Sequence, residues 1–107
     1  MLEGVDVMVY DLQDIGCRSY TYISTLGLVM EAAEEQGIGV MVLDRPNPLG
    51  TRRVEGPRPQ GPEVISSFIG QYDIPYVYGL TVGELARWIN GHHLRRPCRL
   101  SVIPMKG

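Results

Sequence analysis

The sequence holds few of the residues that would announce a specialised class. Cysteine occurs only as Cys17 and Cys98 among 107 residues. They are far apart, with neither a Cys-x-x-Cys pair nor Cys/His ligand spacing, so neither a disulfide framework nor a zinc site is indicated, and both read as free thiols. Positive charge is not in surplus, since 10 Lys and Arg face 12 Asp and Glu for a net charge of -2. Nothing gathers phosphates, and nucleic-acid binding has no electrostatic basis. No apolar run approaches the ~18 residues of a membrane span, and no basic-then-apolar start resembles a signal peptide. The compartment stays open between a secreted or periplasmic and a cytoplasmic one. His92 and His93 follow Gly91; side chains one apart on a helix diverge, so they read as a solvated helix end and no metal site is assigned.

What is present fits one globular domain, 44% apolar and 21% charged. That length is at the small end for an α/β sheet, which implies support from further sequence or from a partner. Val5 to Tyr10 is a nearly continuous apolar and β-branched run ending at Asp11. It is expected to be a central parallel strand buried on both faces. From Tyr20 to Gln36 apolar residues recur at steps of three and four, with Glu31, Glu34 and Glu35 opposite, predicting a helix that Gly37 ends. Gly39 to Leu43 is a second buried-strand run, closed by Asp44. Strand, helix and strand make a βαβ unit, and the fold class is α/β, a Rossmann-like, mostly parallel sheet flanked by helices.

Residues 45–63 are rich in proline and glycine and predict a long ordered loop or flap, with an interdomain linker as the alternative. The Pro75 to Tyr78 segment reads as irregular or edge-strand structure. Thr81-Val82-Gly83-Glu84 has capping-box spacing, with Leu80 and Leu85 placed as a hydrophobic staple, and predicts a helix to about Asn90. Leu100 to Ile103 reads as a further strand.

Ligands of open parallel sheets bind beyond the carboxyl ends of the strands, so Asp11 and Asp44 are expected on one functional edge. The first strand end carries Asp11, Gln13, Asp14, Arg18, Tyr20 and Tyr22, and the second carries Asp44, Arg45 and Asn47 between prolines. Carboxylate, amide and guanidinium groups held rigidly suit the recognition of sugar hydroxyls. The structural alternative is that Asp44 and Arg45 pair with each other or cap a turn. Neither Gly-x-Gly-x-x-Gly nor a Walker-type Gly-Lys-Ser is present, which weakens a nucleotide-binding reading.

Four blocks then carry a likeness: Asp11 to Tyr22, Leu43 to Pro48, Val54 to Pro57 and Gly79 to Ala86. In order and approximate spacing the chain resembles the NamZ-type exo-β-N-acetylmuramidases. The resemblance implies a cofactor-free glycoside hydrolase that removes terminal N-acetylmuramic acid from peptidoglycan fragments. It also implies a two-domain protein of which this chain is part of the Rossmann-like N-terminal domain. The family's Gly-Pro-Glu-His-Gly-type block, whose glutamate is a candidate acid, does not occur here, and Cys17 stands where a small residue is expected.

On that reading Asp11, Asp14 and Glu55 are the candidate catalytic carboxyl groups, with Glu55 as a lid residue on the proline-rich loop. Gln13, Arg18, Tyr20, Tyr22, Asp44, Arg45 and Asn47 are the candidate substrate contacts. Arg18 and Arg45 are offered to the lactyl carboxylate of muramic acid, because a guanidinium grips a carboxylate with parallel hydrogen bonds. Tyr22 is equally a candidate for the core. The alternatives are a non-catalytic carbohydrate-binding module and a structural α/β fragment that pairs with a second copy.

Overall fold

The computed structural model describes residues 3–17, 22–50, 52, 54–56, 58, 72 and 74–105. Among these the order of elements is β1 (Val7–Tyr10), α1 (Tyr22–Gln36), β2 (Gly39–Leu43), α2 (Val82–His92) and β3 (Arg99–Ile103). The strands form one parallel sheet in the order β1-β2-β3. The expected βαβ unit is therefore present, and its strands are direct neighbours.

The pairing sets Met8 beside Val40 and Leu100, and Tyr10 beside Val42 and Val102. Side chains alternate between the faces of a strand, so these six share one face. Tyr10, Val40 and Val42 are buried there, and the other three pack against the same core. Helix α1 adds Ile23, Leu26, Met30 and Ala33 at helical spacing, and α2 adds Leu85, Ala86 and Ile89. The helices touch each other as well as the strands, so both lie on this face.

The opposite face is open, and this corrects one expectation. Val7, Val9 and Ile103 are 45%, 57% and 44% exposed. Among the described residues, strand β1 is not a central strand buried on both sides. It is an edge strand among the described strands, and β2 is the central one. A continuous apolar run signals two apolar faces, but here both helices cover the same one.

Local chemistry sets the helix ends. At the end of α1, Gly37 adopts φ 70°, Gly37 N–H donates to Glu34 O, and Ile38 N–H donates to Ala33 O. These are the paired bonds of a Schellman motif, with Ile38 folding back onto the core. At the start of α2 the Thr81 hydroxyl accepts from Glu84 N–H at 3.2 Å, and the Glu84 carboxylate accepts from Thr81 N–H at 3.4 Å. The capping box is thus formed, and the helix runs on to His92.

Tyr72 is 1% exposed, and its hydroxyl donates to Ile23 O at 3.0 Å. It lies against Gly27 of α1, where a Cβ would collide with the phenol, and its ring meets Trp88 and His93 edge-on. A glycine in a helix interior costs about 1 kcal/mol relative to alanine, and room for Tyr72 is what offsets that cost here. His92 stacks on Trp88 in the exposed terminal turn, as expected of a solvated helix end. Both cysteines are free.

Candidate active site at the carboxyl ends of the strands

Because β1 and β2 are parallel neighbours, the segments that follow them emerge on the same edge of the sheet. Asp11 and Arg45 meet there, with Arg45 Nε and Nη2 at 2.9 and 2.7 Å from one oxygen, Oδ1 of Asp11. Both side chains are substantially exposed, at 49% for Asp11 and 40% for Arg45. An exposed pair of this kind contributes under about 1 kcal/mol, so stability does not explain it. Among the described residues, the contacts of this pair involve only Asp11 Oδ1 with Arg45 Nε and Nη2.

Other contacts stitch this edge together. Gln13 Nε2 donates to Asp14 O at 2.7 Å and to Pro46 O at 3.0 Å, joining the two strand ends. Asn47 Nδ2 donates to Leu80 O, and its Oδ1 accepts from Leu49 N–H, each at 2.9 Å. Gly16, at φ 89°, passes so close to Asn47 that a Cβ would overlap the amide. Both ends of the Asn47 amide are thus engaged within the fold.

Asp44 is similarly engaged. Its Oδ1 accepts from Gly83 N–H at 2.8 Å and from its neighbour Arg45 N–H at 3.0 Å, while Oδ2 accepts from the Thr81 hydroxyl at 3.0 Å. The carboxylate sits at the positive end of α2 and satisfies an N–H of its first turn. Gly83 permits this approach, since a Cβ there would fall 2.8 Å from the Asp44 carboxyl carbon. Of the two readings of Asp44, this geometry is that of a cap.

Asp14 lies beneath the edge, 5% exposed. Its Oδ2 accepts from Gly16 N–H at 3.2 Å, whereas its Oδ1 is buried with no hydrogen-bond partner. Burial raises its pKa above the ordinary aspartate value, against the lowering effect of the Gly16 and Ile15 N–H groups. Burial, and then the nearby Asp14 charge, push the Tyr10 phenol well above its usual range. That phenol donates to Tyr22 O at 3.0 Å. The Tyr22 side chain is 45% exposed, which places it on the surface and not in the core.

Glu55 pairs through its backbone with Val77, at 3.0 and 2.7 Å, and Val77 also bridges to Cys17. The proline-rich loop is therefore anchored at Glu55 to the segment before α2, and the Glu55 residue is exposed. Arg18 and Tyr20 lie outside the described residues. No group of three side chains suited to a metal ion occurs among the described residues. Sequence reasoning gave Gly16 and Gly83 no individual role on this edge; their signal was a glycine a few residues before a predicted helix or within its first turn.

A larger groove, of about 620 Å³, lies elsewhere, between Glu31, Glu34 and Glu35 of α1 and the His93 to Arg96 turn. It sits toward the amino ends of the strands, away from the converging side chains. Size alone does not outweigh that convergence, because ligands of open parallel sheets gather at the other edge.

The family described as Exo-beta-N-acetylmuramidase NamZ, N-terminal, matches residues 1–107. The chain is 49% identical over 106 residues to the peptidoglycan beta-N-acetylmuramidase NamZ of Bacillus subtilis (strain 168), a match covering 99% of this chain and 25% of that protein. Two crystal structures of DUF1343 family proteins from Bacteroides fragilis are also similar. One is 56% identical with a TM-score of 0.92, over 100% of this chain and 28% of that one. The other is 40% identical with a TM-score of 0.84, over 92% of this chain and 28% of that one. The chain thus spans about a quarter of the length of the relatives it matches.

Proposed function

The chain belongs to the family of N-terminal domains of NamZ-type exo-β-N-acetylmuramidases, and from that premise we propose that it forms one wall of a glycosidase active site, in an enzyme releasing terminal N-acetylmuramic acid from peptidoglycan fragments. In this reading it is part of a single Rossmann-like N-terminal domain, and a further domain completes the site. The observation that carries the reading is the meeting of Asp11 and Arg45 at the ends of adjacent parallel strands. The relative's activity and the length of its chain support the rest.

Hydrolysis of a glycoside needs a proton on the leaving oxygen and a water, or a carboxylate followed by water, at the anomeric carbon. The bond between that carbon and the leaving oxygen breaks, and the water supplies hydroxyl to the sugar and a proton to the base. In this reading Asp11, exposed beside Arg45, is the carboxyl group of the strand ends that touches the sugar, with Glu55 on the proline-rich loop as a lid residue. Asp14 stands behind it, buried. Arg45, with Arg18 earlier in the chain, is offered to the lactyl carboxylate, which distinguishes muramic acid from glucosamine. Gln13 and Tyr22 provide polar and stacking contacts at the rim, and Asp44 and Asn47 hold the loops that carry them.

The test is turnover of a chromogenic N-acetylmuramic acid glycoside, and of its N-acetylglucosamine counterpart, by the protein in its natural full length. Asp11→Asn is expected to lower kcat at least 100-fold, and Arg45→Ala to weaken the muramic substrate more than the glucosamine one. Wild-type turnover by Asp11→Asn would remove Asp11 from the chemistry. Sugar binding without any turnover would make the protein a carbohydrate-binding module instead.

A further inference from the structure

A small pocket of about 10 Å³ lies at the carboxyl-end edge of the sheet, lined by residues that include Gln13, Asp14, Arg45, Asn47 and Tyr78. It is far too small for a sugar, whose pockets run to hundreds of Å³, but it is about the size of one water. Asp14 lines it and is 95% buried, with an oxygen that has no partner. A buried carboxyl oxygen without a partner is costly, and such groups are ordinarily satisfied by protein or by ordered water. The other polar walls are already committed in part. Asn47 uses both ends of its amide, and Gln13 uses its nitrogen. The Gln13 Oε1, the Tyr78 hydroxyl and the guanidinium of Arg45 remain as groups that can serve a water.

We propose that this cavity is a single-water site, and that the water links Asp14 to the Arg45 loop and so fixes the direction in which Arg45 faces the substrate. Asp14 is then a positioning residue, acting through the water, and not the group that meets the glycosidic oxygen. The water donates to Asp14 Oδ1 when the carboxyl is ionised and accepts from it when protonated, so the link survives in either state. The charged and titratable groups around it are Arg45 from the β2 end with Asp11 paired to it, the Tyr78 phenol in the wall, and the Tyr10 phenol of β1. This inference rests on the glycosidase reading only for its kinetic arm.

The first arm is a crystal structure of the protein at a resolution that shows buried water. One water within 3.2 Å of Asp14 Oδ1 is expected, and a dry cavity beside other visible buried waters would overturn the proposal. The second arm compares Asp14→Asn with Asp14→Leu on the muramic glycoside. Asparagine can still accept from Gly16 N–H and donate to the water, so it is expected to lose under tenfold in kcat/KM, with the loss in KM. Leucine fills the cavity and is expected to raise KM tenfold or more in a protein that still folds. A 100-fold loss of kcat at unchanged KM in Asp14→Asn would make Asp14 the direct proton donor, overturning the proposal while leaving the glycosidase reading intact. Absence of turnover in the wild type would sink that reading, and the crystallographic arm would then decide the water site alone.

Discussion

Replacing Asp44 by alanine separates two roles that a carboxylate at a strand end can play. The side chain accepts from Gly83 N–H, Arg45 N–H and the Thr81 hydroxyl. Hydrogen bonds to a charged group are worth about 1.5–3 kcal/mol each, but their losses do not add. The N–H of Arg45 and the hydroxyl of Thr81 can turn to water once the carboxylate is gone. Gly83 is buried, so its N–H has less recourse. The net cost should be about 3 kcal/mol, including about 0.5 kcal/mol from lost charge at the helix terminus. In a domain of this size that lowers Tm by roughly 10–20 °C. Asp44→Asn keeps the Oδ1 acceptor and should cost about 1 kcal/mol. Urea unfolding followed by circular dichroism measures both, with an unchanged m-value if the denatured state is unaffected. If Asp44→Ala unfolds within about 0.5 kcal/mol of wild type, the range ordinary for a surface substitution, while KM for a muramic substrate rises tenfold, Asp44 grips sugar and its assignment as a helix cap is wrong.

Gly27→Ala should destabilise by about 1–3 kcal/mol, because the new methyl overlaps the Tyr72 phenol. Combining it with Tyr72→Phe should recover part of that loss, a coupling a double-mutant cycle would read as non-additive; strict additivity would mean the two residues do not meet. Asp14 brings a pH dependence whose sign follows from its raised pKa. The folded state holds the proton more tightly than the unfolded one, so stability from this group is fully present below the ordinary value of 3.8 and is lost as pH climbs through the folded-state value. Relative to wild type, Asp14→Asn should therefore gain stability as pH rises from 3.8 through the raised folded-state value and level off above it, and a constant difference across the range would contradict the burial.

The sheet core and the helix ends were legible because their signals are local. The continuous apolar run of Gly39–Leu43, the three-and-four spacing of Ile23, Leu26 and Met30, Gly37 after α1 and the Thr81–Glu84 box each sit within a few residues. The open face of β1 was not legible, because Val7 and Val9 look alike whether or not something covers them. Tyr72 stood in a stretch without periodicity, and its place beneath α1 depends on Ile23, 49 residues earlier. The convergence of the two strand ends on one edge of the sheet was legible in the sequence. The division of labour within it was not: Asp11 and Asp44 close consecutive strands in the same way, yet one faces solvent beside Arg45 and the other is taken up by α2. What separates them is a contact across 39 residues, between Asp44 and Gly83, that no local pattern encodes.

A crystal structure of the full-length protein with N-acetylmuramic acid tests the central claim most directly. The sugar is expected at the carboxyl ends of β1 and β2, with Asp11 within hydrogen-bond reach of the ring substituents and Arg45 on the lactyl carboxylate. Binding instead between Glu31, Glu34 and Glu35 and the His93 to Arg96 turn, with the Asp11–Arg45 pair untouched, would contradict it.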